Sequence, residues 1–142
     1  MKATGFGLSH VGRVRARNED SIHIDEDGRF ALMADGMGGH RGGQEASRMT
    51  IDLVRAALER LHFEGFPSDD SDARSALRET FKSAAVEVAT RGRQVQELEN
   101  MGTTLVCWTL HGGAVHVAHV GDSRAYLLRD GNLFQVTLDH VL

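Results

Sequence analysis

Apolar residues gather in blocks along this chain, and each block has its own period. Residues 29–34, RFALMA, form a short apolar run of the kind that makes a strand. From residue 44 to 61 the apolar positions Ala46, Met49, Leu53, Val54, Ala57, Leu58 and Leu61 recur at helical spacing. A second helical pattern, Leu77, Phe81, Ala84, Val88, Val95 and Leu98, follows the loop 62–70. It begins near Ser71 or Asp72 and is long enough to contain a break near Gly92. Two further strands are predicted at the front, over 4–11 and 21–25, separated by the polar segment 12–20. Beyond Gly102 come four more, over 103–110, 114–120, 124–128 and 133–137, with turns at His111-Gly112-Gly113 and Asp130-Gly131-Asn132. Consecutive hairpins imply an antiparallel sheet. Strands grouped apart from helices predict an α+β fold and argue against alternating βαβ units.

Composition sets the surroundings of this pattern. With 142 residues, 41% hydrophobic and 25% charged, the chain has the size and make-up of one globular domain. A net charge of −4 offers no basic face to a nucleic-acid backbone, so no nucleic acid is expected as partner. The single cysteine, Cys107, stands in an apolar run and has no partner for an internal disulfide, which predicts a core thiol in a reducing compartment. The first residues carry no apolar signal segment, and no run approaches the roughly 20 apolar residues that span a bilayer. The expectation is a cytoplasmic protein without membrane contact, with nothing preceding the fold.

The chemistry gathers where the pattern changes from strand to helix. Residues 34–43, ADGMGGHRGG, place five glycines around Asp35, His40 and Arg41, between the apolar strand and the first helix. Bare backbone at such a junction can approach a ligand closely, and an aspartate at a strand end is placed to hold a cation. Arg15, Glu19, Asp20 and Asp122 fall at other strand ends or turns, from which side chains converge on a shared cleft, although each taken singly reads better as a solvated surface charge. Oxygen donors without paired Cys or His favour magnesium or manganese over zinc, and such ions position water for attack on a phosphoryl group. An arginine fork can hold the remaining phosphate oxygens. The histidines make a poor alternative: His116 and His119 point to opposite faces of one strand, while His10, His23, His62 and His111 have no partner at ligand spacing. His40 follows the glycine loop, either touching substrate or leaving group or packing locally.

Five segments in order, GRVRARNEDS (12–21), ADGMGGHRGGQEAS (34–47), MGTTL (101–105), VGDSRAYLLRDG (120–131) and TLDH (137–140), resemble successive motifs of the metal-dependent type 2C serine/threonine protein phosphatases, the bacterial members most. The resemblance covers nearly the whole chain. It implies an α/β/β/α sandwich, two packed antiparallel sheets flanked by helices. It also implies hydrolysis of phosphoserine and phosphothreonine by metal-activated water, with phosphoproteins as substrates in opposition to a serine/threonine kinase. Carried over by position, Asp35 is similar to the aspartate that bridges two Mg²⁺ or Mn²⁺ ions, and Gly36 to the glycine whose carbonyl ligates one of them. Arg15 falls where the family binds phosphate, Glu19 and Asp20 where its acids hold metal-bound waters, and Asp122 where bacterial relatives bind a third ion. His40 stands later in its loop than the family's histidine, and Arg13 and Arg17 have no counterpart.

The family domain continues past the TLDH position to two more metal-binding aspartates, whereas this sequence ends at Leu142. Residues 1–142 are therefore expected to be a PPM-type phosphatase domain incomplete at its C-terminus, with Val115, Val117, Val120, Tyr126 and Leu128 left uncovered. Two other readings stay open. One is a catalytically weak relative that binds phosphoproteins or regulates, and the other an α+β domain whose acids are surface charges only.

Overall fold

The computed structural model describes residues 2–38 and 41–140. The elements run β1 Asp20–Ile24, β2 Phe30–Met37, α1 Gly42–Glu64, α2 Asp70–Gln94, a 3₁₀ turn Gln96–Leu98, β3 Gly102–Thr103, β4 Leu105–His111, β5 Ala114–Val120, β6 Tyr126–Arg129 and β7 Asn132–Gln135. Both helices form where the spacing predicts them. Asp69 starts α2 by accepting hydrogen bonds from the Ser71 and Asp72 amides at 2.8 and 3.2 Å, which satisfies donors a helix leaves free. The break expected near Gly92 comes after Gln94, where Val95 turns to extended geometry.

The larger sheet has the order β1-β2-β4-β5, with β3 pairing to β2, and every pairing is antiparallel. Alternation along β2 decides its two faces. Phe30, Leu32 and Ala34 are buried and meet Val54 and Leu58 of α1 and Leu77 of α2 in the core, together with Leu105 and Cys107 of β4. Cys107 is the buried free thiol expected, and burial pushes its pKa up to about 12. Ala31, Met33, Asp35 and Met37 point the other way, away from the helices, and Met33 and Met37 are exposed.

Three expectations are corrected. Residues 4–11 form no strand: Gly5 and Gly7 lie so close over Ile24 and Ile22 of β1 that a Cβ would come within 2.5 and 2.7 Å of those side chains. Phe6 and Leu8 turn outward, and the segment crosses the sheet face without joining its ladder. The strand expected over 103–110 is interrupted at Thr104. Finally, the later hairpins do not build one sheet, because β6 and β7 pair only with each other as a separate two-stranded sheet. The two antiparallel sheets and the helices on one face of the larger make an α+β fold, as expected. Val115, Val120, Tyr126 and Leu128 are exposed as anticipated, whereas Val117 is half-buried.

Candidate active site

Register brings the acids together. β1 pairs with β2 so that Asp20 stands opposite Asp35, while the Gly36 amide donates to the Glu19 carbonyl at 3.2 Å. The Gly36–Glu19 pair is therefore hydrogen-bonded, and the Asp20–Asp35 pair next to it is of the closer, non-bonded kind, where side chains on one face meet. Two carboxylates in that relation repel. Asp35 is held above its ordinary pKa, first by desolvation and then by the charge and hydrogen bonding of Asp20, with Asp122 adding in the same direction and Arg15 opposing.

Asp35, Asp122 and Arg15 share an open cleft of about 660 Å³ whose wall also includes Arg17, Glu19 and Gly36. Arg15 and Glu19 come from the irregular segment before β1, Asp122 from the turn after β5, and Asp35 from within β2, two residues before its end. Of the residues expected to converge, Arg15, Glu19, Asp35 and Asp122 line this cleft, and Asp20 joins them through its pairing with Asp35. His40 lies outside the described residues, and Arg17, which has no counterpart among the family motifs, proves to line the cleft.

Gly36 and Gly43 earn their place by packing. A Cβ on Gly36 would strike the Gly43 carbonyl and stand 2.7 Å from the Glu19 carbonyl, and one on Gly43 would lie 2.8 Å from the Glu19 carboxylate. The bare backbone lets α1 press its first turn against β2 and lets the Glu19 carboxylate nest there, where the free amides and dipole of a helix N-terminus favour negative charge. Several other histidines pack against rings: His62 stacks on Phe66, His111 lies tilted against the same ring, and His119 stacks on His140.

Backbone order at Asp35 is reinforced from Thr103 of β3 and from Thr104 just after it. The Asp35 amide donates to Thr104 Oγ1 at 3.0 Å, the Thr104 amide donates to the Asp35 carbonyl at 2.9 Å, and the Thr103 hydroxyl reaches that carbonyl at 2.9 Å. Sequence pattern does not single out Thr104 or Ser123, and the only signal for the first is its place in MGTTL. Among the described residues no three His, Cys, Asp or Glu side chains stand close enough to hold a metal ion as a group. The donor set nonetheless fits a hard divalent cation. Repelling carboxylates around Asp35 would be relieved by positive charge, and magnesium-like ions keep several water ligands.

Comparison with known proteins places this geometry. Residues 6–141 match the family described as Protein phosphatase 2C. The serine/threonine protein phosphatase PstP of Mycobacterium tuberculosis is 40% identical over 92% of this chain, which spans 24% of that protein. The serine/threonine phosphatase stp of Listeria monocytogenes is 36% identical over 92% of this chain, here 52% of the relative. Among solved structures, the PstP catalytic domain in complex with two manganese ions superposes with a TM-score of 0.75 at 39% identity. That match covers 90% of this chain and 52% of that one. The serine/threonine phosphatase of S. agalactiae gives 0.80 at 32% identity, over 95% and 55%. The chain therefore spans between a quarter and about half the length of the proteins it resembles.

Proposed function

Because this chain belongs to the protein phosphatase 2C family, we propose that it is the N-terminal portion of a metal-dependent phosphatase that hydrolyses phosphoserine and phosphothreonine in proteins. The observation that carries this is the cleft in which Asp35, crowded by Asp20 and Asp122, faces Arg15. Asp35, the Gly36 carbonyl and Asp122 would hold Mg²⁺ or Mn²⁺, with the remaining protein donors coming from outside residues 1–142. When bound, such ions supply an activated water and neutralise charge on the phosphoryl group. The arginine binds and orients the phosphate through its planar fork, which brings the phosphorus to the acidic end of the cleft. Glu19, fixed against the first turn of α1, and Asp20, opposite Asp35, orient water at that end by accepting its hydrogen bonds.

A second reading, a phosphoprotein-binding or regulatory module, draws on the absence among the described residues of a three-acid metal cage. It keeps Arg15 and needs no paired ions. The primary reading carries with it a cytoplasmic site of action against the products of a serine/threonine kinase, which cell fractionation and phosphoprotein profiling test.

The central experiment measures Mn²⁺ binding and phosphothreonine-peptide turnover by the 142-residue chain across a manganese titration. The expected result is weak binding and slow turnover, both lost in Asp35→Asn, with Arg15→Ala mainly raising KM. Activity unchanged in Asp35→Asn refutes the site. Peptide binding that needs Arg15 but neither Mn²⁺ nor Asp35 favours the second reading, and turnover as fast as that of a full-length relative refutes the need for further donors.

A further inference from the structure

We propose that Thr104 is a positioning residue whose hydroxyl ties the backbone of Asp35 to the turn carrying Asp122, and thereby sets how the two carboxylates stand to each other. Its consequence for catalysis rests on the phosphatase reading above. The geometry does not depend on that reading.

Strand register sets the position of Thr104. β2 pairs with β4 through Met33 and Val106, and with β3 through Gly36 and Thr103, so one continuous alignment puts Thr104 opposite Asp35. The Leu110 amide donates to the Arg29 carbonyl at 2.7 Å, which fixes the alternation: odd-numbered residues of β2 occupy the hydrogen-bonded positions on this side. A regular ladder would therefore have Asp35 and Thr104 exchange two backbone bonds. Only one forms, from the Thr104 amide to the Asp35 carbonyl. The Asp35 amide turns instead to the Thr104 side-chain oxygen, and the Thr103 hydroxyl sits 2.9 Å from both the Asp35 and the Thr104 carbonyls, its one proton shared between them. This substitution of a side-chain oxygen for a backbone one is what interrupts the strand between β3 and β4.

The same oxygen reaches across the cleft wall. Thr104 Oγ1 lies 2.6 Å from Ser123 Oγ, one residue from Asp122. A hydroxyl has one proton and two acceptor sites, so it can take the Asp35 amide and still bond Ser123. Its methyl group supports the turn as well: Gly121, at φ +95, lies so close that a Cβ there would come 2.7 Å from Thr104 Cγ2. Thr104 is 8% exposed, so losing the hydroxyl would leave the Asp35 amide short of a partner at the wall of the cleft. Serine keeps the oxygen. Valine keeps the shape but removes the oxygen, which leaves the Asp35 amide without its acceptor and unties it from the Ser123 turn.

The test compares the native chain with Thr104→Val, Thr104→Ser and Ser123→Ala, following Mn²⁺ affinity by electron paramagnetic resonance of the free ion and amide exchange by NMR. Thr104→Val is expected to speed exchange of the Asp35 amide and to weaken Mn²⁺ binding about 10- to 100-fold, the usual cost of losing a partner that orients a metal ligand. Thr104→Ser restores both. Ser123→Ala loosens only residues 121–123, leaves Asp35 protected and still weakens Mn²⁺ binding. Native Mn²⁺ affinity in Thr104→Val overturns the proposal, even where the Asp35 amide is exposed, since the bond is then merely structural. If Thr104→Val does not fold, native affinity in Ser123→Ala overturns it instead. A native chain that binds no Mn²⁺ counts against the phosphatase reading. The exchange data then decide the positioning role, and equal Asp35 protection in native and Thr104→Val chains defeats it.

Discussion

The two faces of the larger sheet are made by the same strands and yet do opposite things. Toward the helices, β2 offers Phe30, Leu32 and Ala34, at 0, 3 and 0% exposure, to a packed core. Toward the other side it offers Met33, at 39% exposure and opposite Ile22 of β1 at 38%, and Asp35, opposite Asp20. One face consists of apolar contacts whose loss leaves a cavity. The other combines partly bare apolar surface with a knot of like charges at one end. Stability should therefore reside on the helix face and the chemistry on the open face, with little exchange between them.

The sharpest way to break that division is Phe30→Ala. Removing a fully buried ring should cost about 3–5 kcal/mol in urea unfolding, and a cost below about 1 would mean the helix face is not the core.

A smaller effect on the same face comes from pH. His62 sits at the helix-face end of β2, its Nε2 2.9 Å from Thr109 Oγ1 and its ring stacked on Phe30 and Phe66. Burial first, then Arg29 and His111, hold its pKa below 6.5, with Asp25 opposing. Between 6.5 and that lower folded value the unfolded chain binds the proton and the folded chain does not. Stability is thus full above pH 6.5 and declines as pH falls through that window. Unfolding midpoints from about pH 7.5 to about pH 5.5 should show the decline, and His62→Gln should shrink it. Some slope remains, because His119 is held low in the same sense by burial and by His140.

On the open face the sign reverses. Ionised Asp35 is disfavoured by its surroundings, so Asp35→Asn should leave the fold intact and raise its stability by up to about 1 kcal/mol, the scale of a like-charge cross-strand pair. Destabilisation in calorimetry would show that Asp35 contributes to packing and would blur the two faces. Smallest of all, Leu128→Thr on β6, where the side chain is 69% exposed, should stay within about 0.5 kcal/mol.

The helices are legible in the sequence because their apolar period is long, while the Asp69 cap that starts α2 shows only in the structure. β5 is legible to the residue, since alternation and two flanking turns bound it. The segment 4–11 misleads because its alternating Phe6 and Leu8 read as a strand. What fixes it is Gly5 and Gly7 lying on Ile24 and Ile22, a tertiary contact no local pattern encodes. Hairpin turns reveal β6 and β7 but not their separation from β5, which depends on the direction in which the chain leaves the Gly121–Ser123 turn. In the cleft, charged residue types announce themselves. Thr104 does not, because its importance lies in replacing one backbone oxygen, and a threonine in a strand otherwise signals nothing.

The turn joining β1 to β2 gains a different importance from this. Asp25 accepts the Arg29 amide at 2.9 Å and grips its guanidinium at 2.8 and 2.6 Å, while Gly28, at φ +68, returns its amide to the Asp25 carbonyl at 3.0 Å. This clasp sits at the far end of the hairpin from the acids and measures out the pairing of Ile24 with Ala31, and so, four rungs on, of Asp20 with Asp35. Because strand side chains alternate, a slip of one rung would carry Asp20 through to the helix side. The hairpin works as a ruler: inserting or deleting a single residue in the clasp would disarm a site some five residues away without touching any part of it.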